Sequence, residues 1–226
     1  MNKISILLLV VLIGFISCKK EASTSVSATV TYMSFAPNST WNYDLTDITT
    51  AANINYTVTS TNKDTVANGK TYHIFTNSQG GVNEYYNVTG SEYYTFKSLP
   101  SQLGGSAIQN LYLKDNVDVN NSWTQSYTIT VSNLPLTVNL INTVTEKGIS
   151  KTINTTTYKD VIHITTSISL SVLGLPLPAN ALTTDIQTFY AKSYGMIQTK
   201  NKISFNYNGV VSNTDQLTNL KVAVIK

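Results

Sequence analysis

The chain has 226 residues, of which 42% are hydrophobic and 12% charged, so it is too apolar for a disordered tail and long enough for one all-β domain. Its net charge of +3 comes from 15 basic residues, all of them lysines, against 12 acidic ones. Because arginine is absent and the lysines are not clustered, the composition argues against a nucleic-acid partner. Cys18 is the single cysteine, which excludes intrachain disulfides and thiolate metal sites.

Residues 1–17 have the layout of a secretory signal peptide. Lys3 supplies a basic start, an apolar run of 13 residues covers 4–16, and the small residue Ser17 precedes Cys18. That run is shorter than the ~20 residues that a membrane-spanning helix needs. We therefore expect cleavage between Ser17 and Cys18 rather than a permanent transmembrane helix.

The sequence Phe15-Ile16-Ser17-Cys18 resembles a bacterial lipobox. The resemblance implies that Cys18 carries diacylglycerol and palmitate-type acyl chains, which would attach the mature chain to a membrane at ~0.8 kcal/mol per buried methylene. The alternative is a secreted protein with a free cysteine.

Residues 18–31 are rich in Ser, Thr and Ala and predict a flexible tether of roughly 20 Å. We expect the anchor to lie in the cell envelope, at the outer membrane, with the periplasmic and surface faces both open.

From residue 32 to 226 the sequence predicts a single antiparallel all-β domain with few or no helices. Runs of Val, Ile, Thr, Tyr and Phe alternate with Asn-, Gly- and Ser-rich clusters, which is typical of strands joined by turns. Residues 54–60, 126–131 and 161–172 show clear period-two patterns. Turns are predicted where Gly or Asn tolerates positive φ, at residues 37–39, 67–69, 79–81, 89–91, 146–148 and 207–209.

Two segments, 99–107 and 173–182, interrupt this series of hairpins. The second begins Leu-Gly-Leu-Pro-Leu-Pro, which is unusually apolar for a loop. Because an apolar loop must be buried by something, we expect it to cap one end of the sheet or to gate an apolar cavity. Leu173, Leu175 and Leu177 are therefore candidate ligand contacts.

Five different short motifs follow one another along the mature chain: Pro37-Asn-Ser-Thr-Trp41-Asn-Tyr43, Asn68-Gly-Lys-Thr-Tyr72, Asn121-Ser-Trp123, Thr157-Tyr158-Lys-Asp160-Val161-Ile162 and Phe189-Tyr190-Ala-Lys-Ser-Tyr194-Gly195-Met-Ile197. Together with the lipoprotein-like start, they resemble Bacteroidetes lipoproteins whose sheets are similar to the half-barrel of the LolA/LolB lipoprotein carriers. The resemblance implies a strongly curved antiparallel sheet or half-open barrel with a concave apolar face. It carries over no catalytic residues, and a shared fold does not fix function.

The sequence offers little for catalysis or metal binding. His73 and His163 stand at strand positions without ligand-like spacing, and neither a Gly-x-Ser-x-Gly elbow nor a phosphate-binding loop occurs. We therefore expect a non-enzymatic protein with no cofactor and no metal. The remaining catalytic alternative is a glycosidase-like pair drawn from four acidic residues: Glu84, Glu92, Asp160 and Asp185.

Tyrosine is abundant, with 14 in the chain, and two pairs flank the turn at 89–91. In each pair, Tyr85-Tyr86 and Tyr93-Tyr94, one ring can point inward and the other outward. Outward rings could form a stacking platform for sugar, whereas the alternative is cross-strand packing within the hairpin.

Three roles stay open for the anchored protein. The leading hypothesis is a non-enzymatic binding or structural module, followed by a carrier or sensor of an apolar, lipid-like ligand on the concave sheet face. The third is a carbohydrate-binding surface protein that uses the exposed tyrosines.

Asp64-Thr65-Val66 also resembles a periplasmic O-glycosylation acceptor. The sequence leaves its modification, the ligand, the partner proteins and the oligomeric state undetermined.

Overall fold

The computed structural model describes residues 30–80, 82–98, 107–131, 134–207 and 209–226, which form one sheet of 13 strands. The described residues contain no helix, and so none with the length and apolar character needed to cross a bilayer. The expected all-β class is confirmed. The strands are β1 (Thr40–Asp47), β2 (Asn53–Ala67), β3 (Lys70–Asn77), β4 (Glu84–Thr89), β5 (Glu92–Ser98), β6 (Ala107–Lys114), β7 (Ser122–Val131), β8 (Leu134–Ile153), β9 (Thr156–Val172), β10 (Leu175–Pro176), β11 (Leu182–Ala191), β12 (Gly195–Tyr207) and β13 (Val210–Val224).

The sheet curls into a nearly closed barrel. Its strand order is β6-β5-β4-β3-β2-β1-β13-β12-β11-β9-β8-β7, with the short β10 paired to β9. Strands that follow one another in the chain are neighbours in the sheet from β1 to β6 and, apart from β10, from β7 to β13. Antiparallel pairing of β1 with β13 joins these two series. Within the described ranges, β6 and β7 are the two edge strands and share no backbone ladder.

Local turn chemistry explains most of the hairpins. The turns predicted at 67–69 and 89–91 join β2 to β3 and β4 to β5. The turn predicted at 146–148 is wrong, because these residues lie inside β8. Gly148 has a φ of 71° there, and the register with β9 shifts on either side of it. The glycine therefore serves a β-bulge that bends a long strand.

Strand direction gives the barrel two different ends. The closed end is where β1 begins; it carries residues 30–39 and the β2–β3, β4–β5, β8–β9 and β11–β12 turns. The open end is where β1 finishes; it carries residues 48–52 and 173–181. The first described residues, 30 and 31, therefore lie at the closed end.

The main apolar core fills the closed end. Fully buried side chains on the inner face come from strands all around the sheet: Trp41, Phe75, Tyr93, Leu113, Ile162, Ile164, Ile197 and Leu220. Apolar burial of this kind contributes roughly 1.5–3 kcal/mol for each large aliphatic or aromatic side chain. This end of the barrel is consequently solid rather than hollow.

Residues 30–39 lie across the closed end and complete this core. Tyr32 and Met33 are 7% and 8% exposed. The Tyr32 backbone N–H donates to the Tyr93 hydroxyl at 3.1 Å, and that hydroxyl donates to Asp115 Oδ2 at 2.7 Å. A Cβ added to Gly195, whose φ is 72°, would lie 3.1 Å from the Met33 sulfur, so glycine is needed there for both conformation and space.

Some of the sequence-based expectations lie outside the described residues. These are the signal peptide 1–17 with its cleavage site at Ser17, the lipidated Cys18, the tether as far as residue 29, and residues 99–106.

Candidate ligand-binding cavity

A cavity of about 470 Å³ lies inside the barrel, between the apolar core and the open end. The described residues of its wall are inward side chains from nine strands, and Met33 from the N-terminal segment. A second cavity of about 240 Å³ adjoins it and shares five lining residues: Asn110, Tyr112, Leu140, Thr188 and Tyr190. Small-molecule sites commonly have volumes of about 300–1,000 Å³. The barrel interior is therefore large enough for a small organic ligand.

Four tyrosines from four strands face one another across the larger cavity. We call Tyr43, Tyr86, Tyr112 and Tyr190 the tyrosine belt. The Tyr86 and Tyr112 ring centroids are 6.1 Å apart, and those of Tyr112 and Tyr190 are 5.4 Å apart. Burial raises the pKa of Tyr43, Tyr86 and Tyr112 well above the usual value, so these phenols are neutral at physiological pH.

Backbone carbonyls of the β11–β12 region fix two of the cavity rings. The Trp41 indole N–H donates to the Tyr194 carbonyl at 2.8 Å, and the Tyr43 hydroxyl donates to the Met196 carbonyl at 3.0 Å. Tyr56 stacks on Tyr43 with ring centroids 5.3 Å apart. The ring faces of this wall are therefore held in place before any ligand binds.

Glu84 places a carboxylate in this aromatic wall. Its Oε1 accepts from the Asn77 side-chain N–H at 2.6 Å, and its Oε2 accepts from the Tyr86 hydroxyl. Burial and then the nearby Glu84 charge raise the pKa of Tyr56 to about 12. Among the side chains that the structure describes, none forms an ion pair with Glu84, and none of those lining the two cavities is a lysine.

Asn142 on β8 brings an unsatisfied polar group to the second cavity. The residue is 4% exposed, and its Oδ1 accepts from the Thr166 hydroxyl at 2.7 Å. Its Nδ2 has no hydrogen-bond partner within the described chain. Because the two ends of an amide can be exchanged, one end stays unpartnered whichever end faces Thr166. A buried polar group of this kind needs a partner such as a ligand atom or a water molecule.

The edge strands β6 and β7 meet beside the cavity through side chains. The Trp123 indole N–H donates to the Leu111 carbonyl at 2.9 Å, and Gln125 Oε1 accepts from the Leu111 N–H at 2.9 Å. The Tyr127 hydroxyl donates to the Gln109 carbonyl at 3.0 Å. Residues 123, 125 and 127 share one face of β7, so their side chains replace the missing ladder along this seam.

The four tyrosines singled out from the sequence do not share one surface. Tyr86 lines the cavity, and Tyr93 is fully buried in the core. Because Thr95 points into the cavity, Tyr94 beside it points outward, where it is 9% exposed and lies under the Lys70 ammonium at 4.1 Å. Tyr85 is half-buried on that outer face. The inward and outward alternation within the Tyr85-Tyr86 pair is as expected, but the four rings form no common platform.

The apolar segment that begins at Leu173 forms part of the rim of the open end. A two-residue turn with φ of 51° at Leu173 and 80° at Gly174 folds β10 back on β9. This tight turn projects Leu173 and Leu175 into solvent, 66% and 73% exposed, while Leu177 is half-buried. None of the three lines either cavity. The expectation that the protein buries this segment is therefore wrong for Leu173 and Leu175.

The two histidines lie apart, and each contacts an acidic residue on a neighbouring strand. His73 Nδ1 is 2.7 Å from Asp64 Oδ1, and its Nε2 is 2.7 Å from the Thr61 carbonyl. His163 Nδ1 is 2.9 Å from Glu146 Oε2. In the described part of the chain, no three metal-binding side chains come together.

The four acidic candidates are likewise dispersed. Glu84 lines the cavity, whereas Glu92 is paired with Lys114 at 2.9 Å and Asp185 is paired with Lys200. Asp160 lies on β9 near the closed end. Glu84 is the one member of the four in the cavity wall, and no other described residue of that wall carries a carboxylate.

Sequence reasoning missed most of the cavity wall. The belt residues Tyr43, Tyr112 and Tyr190 and the polar residue Asn142 were not candidates, although the alternation of Trp41, Tyr43 and Leu45 marks one apolar face of β1. Both faces of several strands carry aromatic residues, so the sequence does not say which face is internal.

No family model matches the chain, and no curated protein matches it significantly. A solved structure with a similar fold is the crystal structure of a "putative lipoprotein" from Parabacteroides distasonis. The TM-score is 0.51 at 12% sequence identity, over 86% of this chain and 99% of that chain. At this identity the likeness concerns the fold alone.

Proposed function

We propose that the chain is a lipid-anchored cell-envelope protein whose barrel binds a small amphipathic molecule. The observation that carries this proposal is the cavity of about 470 Å³, whose described wall combines ordered aromatic rings and aliphatic side chains with seven polar side chains. Small-molecule binding sites are usually concave and combine apolar surface with polar groups that orient the ligand. Among the roles open from sequence, the geometry favours the carrier or sensor of an apolar ligand, acting without catalysis.

The anchor is part of the same proposal. It is supported by the lipobox-like Phe15-Ile16-Ser17-Cys18 and by the similar fold of the Parabacteroides protein. We place the anchored protein at the outer membrane, and the motif resemblance to the LolA/LolB half-barrel fits a role as a carrier. Because residue 30 lies at the closed end, the open end of the cavity points away from the tethered terminus.

The binding role is tested by blocking the cavity. Leu140 lines both cavities, so Leu140→Trp is expected to fill them and exclude the ligand. Ile141→Trp is the matched control, because the neighbouring side chain on β8 points to the other face of the sheet. Native mass spectrometry of each lipoprotein purified from its own membranes measures the small molecule that accompanies it.

We expect a bound small molecule with the unaltered chain and with Ile141→Trp, and its loss with Leu140→Trp. Equal retention by both variants would place the binding elsewhere, and a ligand-free unaltered chain that also binds no added amphiphile would refute the proposal. Circular dichroism establishes that both variants keep the β-sheet spectrum.

The anchor is tested by Cys18→Ala. Removing the thiol removes the site for diacylglycerol, so the variant should leave the membrane fraction and lose incorporation of labelled palmitate. Recovery of Cys18→Ala entirely in membranes at high salt would contradict lipid anchoring through this residue. Ser23→Ala, a few residues along the tether, serves as the control and should stay membrane-bound.

A further inference from the structure

We infer that the ligand of the barrel is an amphiphile with a polyhydroxylated head, such as a hexose ring, and a hydrocarbon chain. This inference rests on the proposed function, since it names the class of molecule that the cavity takes. It is carried by the arrangement of the wall. Hydrogen-bonding side chains stand in two rows on opposite sides of the larger cavity, whereas the adjoining cavity has a mainly aliphatic lining.

One row consists of three threonines on neighbouring strands. Thr188 on β11 pairs in register with Thr199 on β12, and Thr199 pairs with Thr218 on β13. All three line the larger cavity, and the Thr188 and Thr199 hydroxyl oxygens are 3.0 Å apart. Because neighbouring strands lie roughly 4.8 Å apart, this threonine row presents a line of hydroxyls to the cavity.

A second row lies across the barrel. Tyr86 on β4 pairs in register with Thr95 on β5, and Thr95 pairs with Asn110 on β6. These three residues line the same cavity as the threonine row. In the order of twelve strands, β5 is second and β12 is eighth, so the centres of the two rows lie on opposite sides of the nearly closed barrel.

The two rows define what the head of the ligand must offer. Polar groups that are buried against hydrocarbon lose the hydrogen bonds that water gave them, at a cost for each group. A ligand between the rows therefore needs hydrogen-bonding groups on both of its sides. A hydroxyl-rich ring meets this requirement, and a head with a single polar group does not.

The tyrosine belt forms a floor beneath the two rows. On β6, Tyr112 lies two residues beyond Asn110 and is the next inward side chain towards the closed end. On β11, Tyr190 has the same relation to Thr188. A hexose ring has apolar C–H faces and carries its hydroxyls around the edge. Such a ring can lie flat on the belt while its hydroxyls reach both rows.

The adjoining cavity suits a hydrocarbon chain. Ile164, Ile168 and Ile186 line it without lining the larger cavity, and Leu140 lines both. The Thr188 side chain also belongs to both walls, so this aliphatic space begins beside the threonine row. Burial of a chain there contributes ~0.8 kcal/mol for each methylene group. The two cavities thus match the two halves of one amphiphile.

Three probes separate the head from the chain. Hexyl β-glucoside has both, 2-hexyloxytetrahydropyran keeps the ring and chain without the hydroxyls, and methyl β-glucoside keeps the head without the chain. Each is titrated into the full lipidated protein held in phospholipid nanodiscs, and empty nanodiscs correct for partitioning into lipid. Tryptophan fluorescence reports binding, since Trp41 lines the cavity.

We expect hexyl glucoside to bind at least as tightly as the tetrahydropyran ether, although its hydroxyls favour water. It should bind about tenfold or more tightly than methyl glucoside, because its chain is buried.

The head is tested by Thr199→Val, which keeps the side-chain shape and removes the central hydroxyl of the threonine row. This variant should bind hexyl glucoside about threefold to tenfold more weakly, the effect of one net hydrogen bond, and leave the ether unaffected. Thr183→Val is the matched control, because Thr183 lies on β11 and is exposed on the outer face. It should change the binding of neither probe.

The chain is tested by Ile168→Trp, which fills the adjoining cavity from a position outside the larger one. This variant should reduce the affinity for hexyl glucoside to that for methyl glucoside and leave methyl glucoside unaffected. Ser169→Trp is its control, because the next residue on β9 is exposed on the outer face.

The outcomes separate the inference from the proposed function. Weaker binding of hexyl glucoside than of the ether, or an equal effect of Thr199→Val on both, overturns the polyhydroxylated head and leaves a ligand-binding barrel. Equal binding of methyl and hexyl glucoside overturns the chain and indicates a free sugar. A barrel that binds none of the probes and carries no small molecule from its membranes overturns the proposed function as well. If Thr199→Val does not fold, the three probes on the unaltered chain decide the question.

Discussion

The contact between β6 and β7 can be tested by replacing Gln125 with leucine. Gln125 Oε1 accepts from the Leu111 N–H at 2.9 Å, and Leu111 is 8% exposed. Leucine has a similar volume and offers no acceptor, so the substitution leaves a buried N–H without a partner. Such a loss costs about 1–3 kcal/mol. Part of this is offset because leucine gains more than glutamine from burial at a half-buried position.

We therefore expect Gln125→Leu to lower the free energy of unfolding by about 1–2 kcal/mol. For a domain of this size, that corresponds to a fall in melting temperature of roughly 2–8 °C. Because the Trp123 and Tyr127 hydrogen bonds to β6 are untouched, the barrel should stay folded while its seam opens more often. Chemical denaturation measures the stability, and amide hydrogen exchange at Leu111 measures the local opening.

Thr124→Leu is the control for the seam. Thr124 is the next residue on β7 and is exposed on the opposite face, so its replacement should change the stability by no more than about 0.5 kcal/mol. The reasoning fails if Gln125→Leu is as stable as Thr124→Leu and the Leu111 amide exchanges at its original rate. That result would mean that the two edges do not depend on side-chain hydrogen bonds.

Three further predictions concern the rings and the closed end. The pKa of Tyr56 is raised to about 12 against 10 in the unfolded chain, so stability should be intact below pH 10 and fall between about pH 10 and 12, with tyrosinate absorbance rising as the protein unfolds. Gly195→Ala should cost at least about 1–2 kcal/mol by denaturation and more than Gly90→Ala, because both residues have positive φ but only the Gly195 Cβ approaches Met33. Tyr93→Phe should free residues 30–39, seen as faster proteolysis of that segment and a loss of about 1–3 kcal/mol; unchanged proteolysis would contradict the role of this hydroxyl.

The predictability of the strands has a local cause. Period-two patterns at 54–60, 126–131 and 161–172 all fall within strands, because alternation and β-branched residues act over a few neighbours. The turn at 67–69 forms where Asn68 and Gly69 tolerate positive φ. Gly148 misled the same reasoning, because a glycine with positive φ fits a bulge within β8 as well as a turn.

The candidate site was less predictable. Glu84 and Tyr86 were among the residues considered, but as a catalytic carboxylate and as part of a sugar platform. Their meeting with Tyr43 and Tyr190 depends on strands that are far apart in the sequence and lie on different sides of one barrel. A strand with aromatic side chains on both faces gives no local signal for which face turns inward.

The sequence by itself determined the all-β class, most of the hairpins and the lipobox-like start at Cys18, because each depends on residues close together along the chain. The tertiary structure decided that the sheet curls almost to closure, that β7 side chains join it to β6, and that Glu84 faces the barrel interior. These features arise from curvature and register accumulated over a dozen strands. A shift of one residue in any strand would reverse which side chains face the cavity.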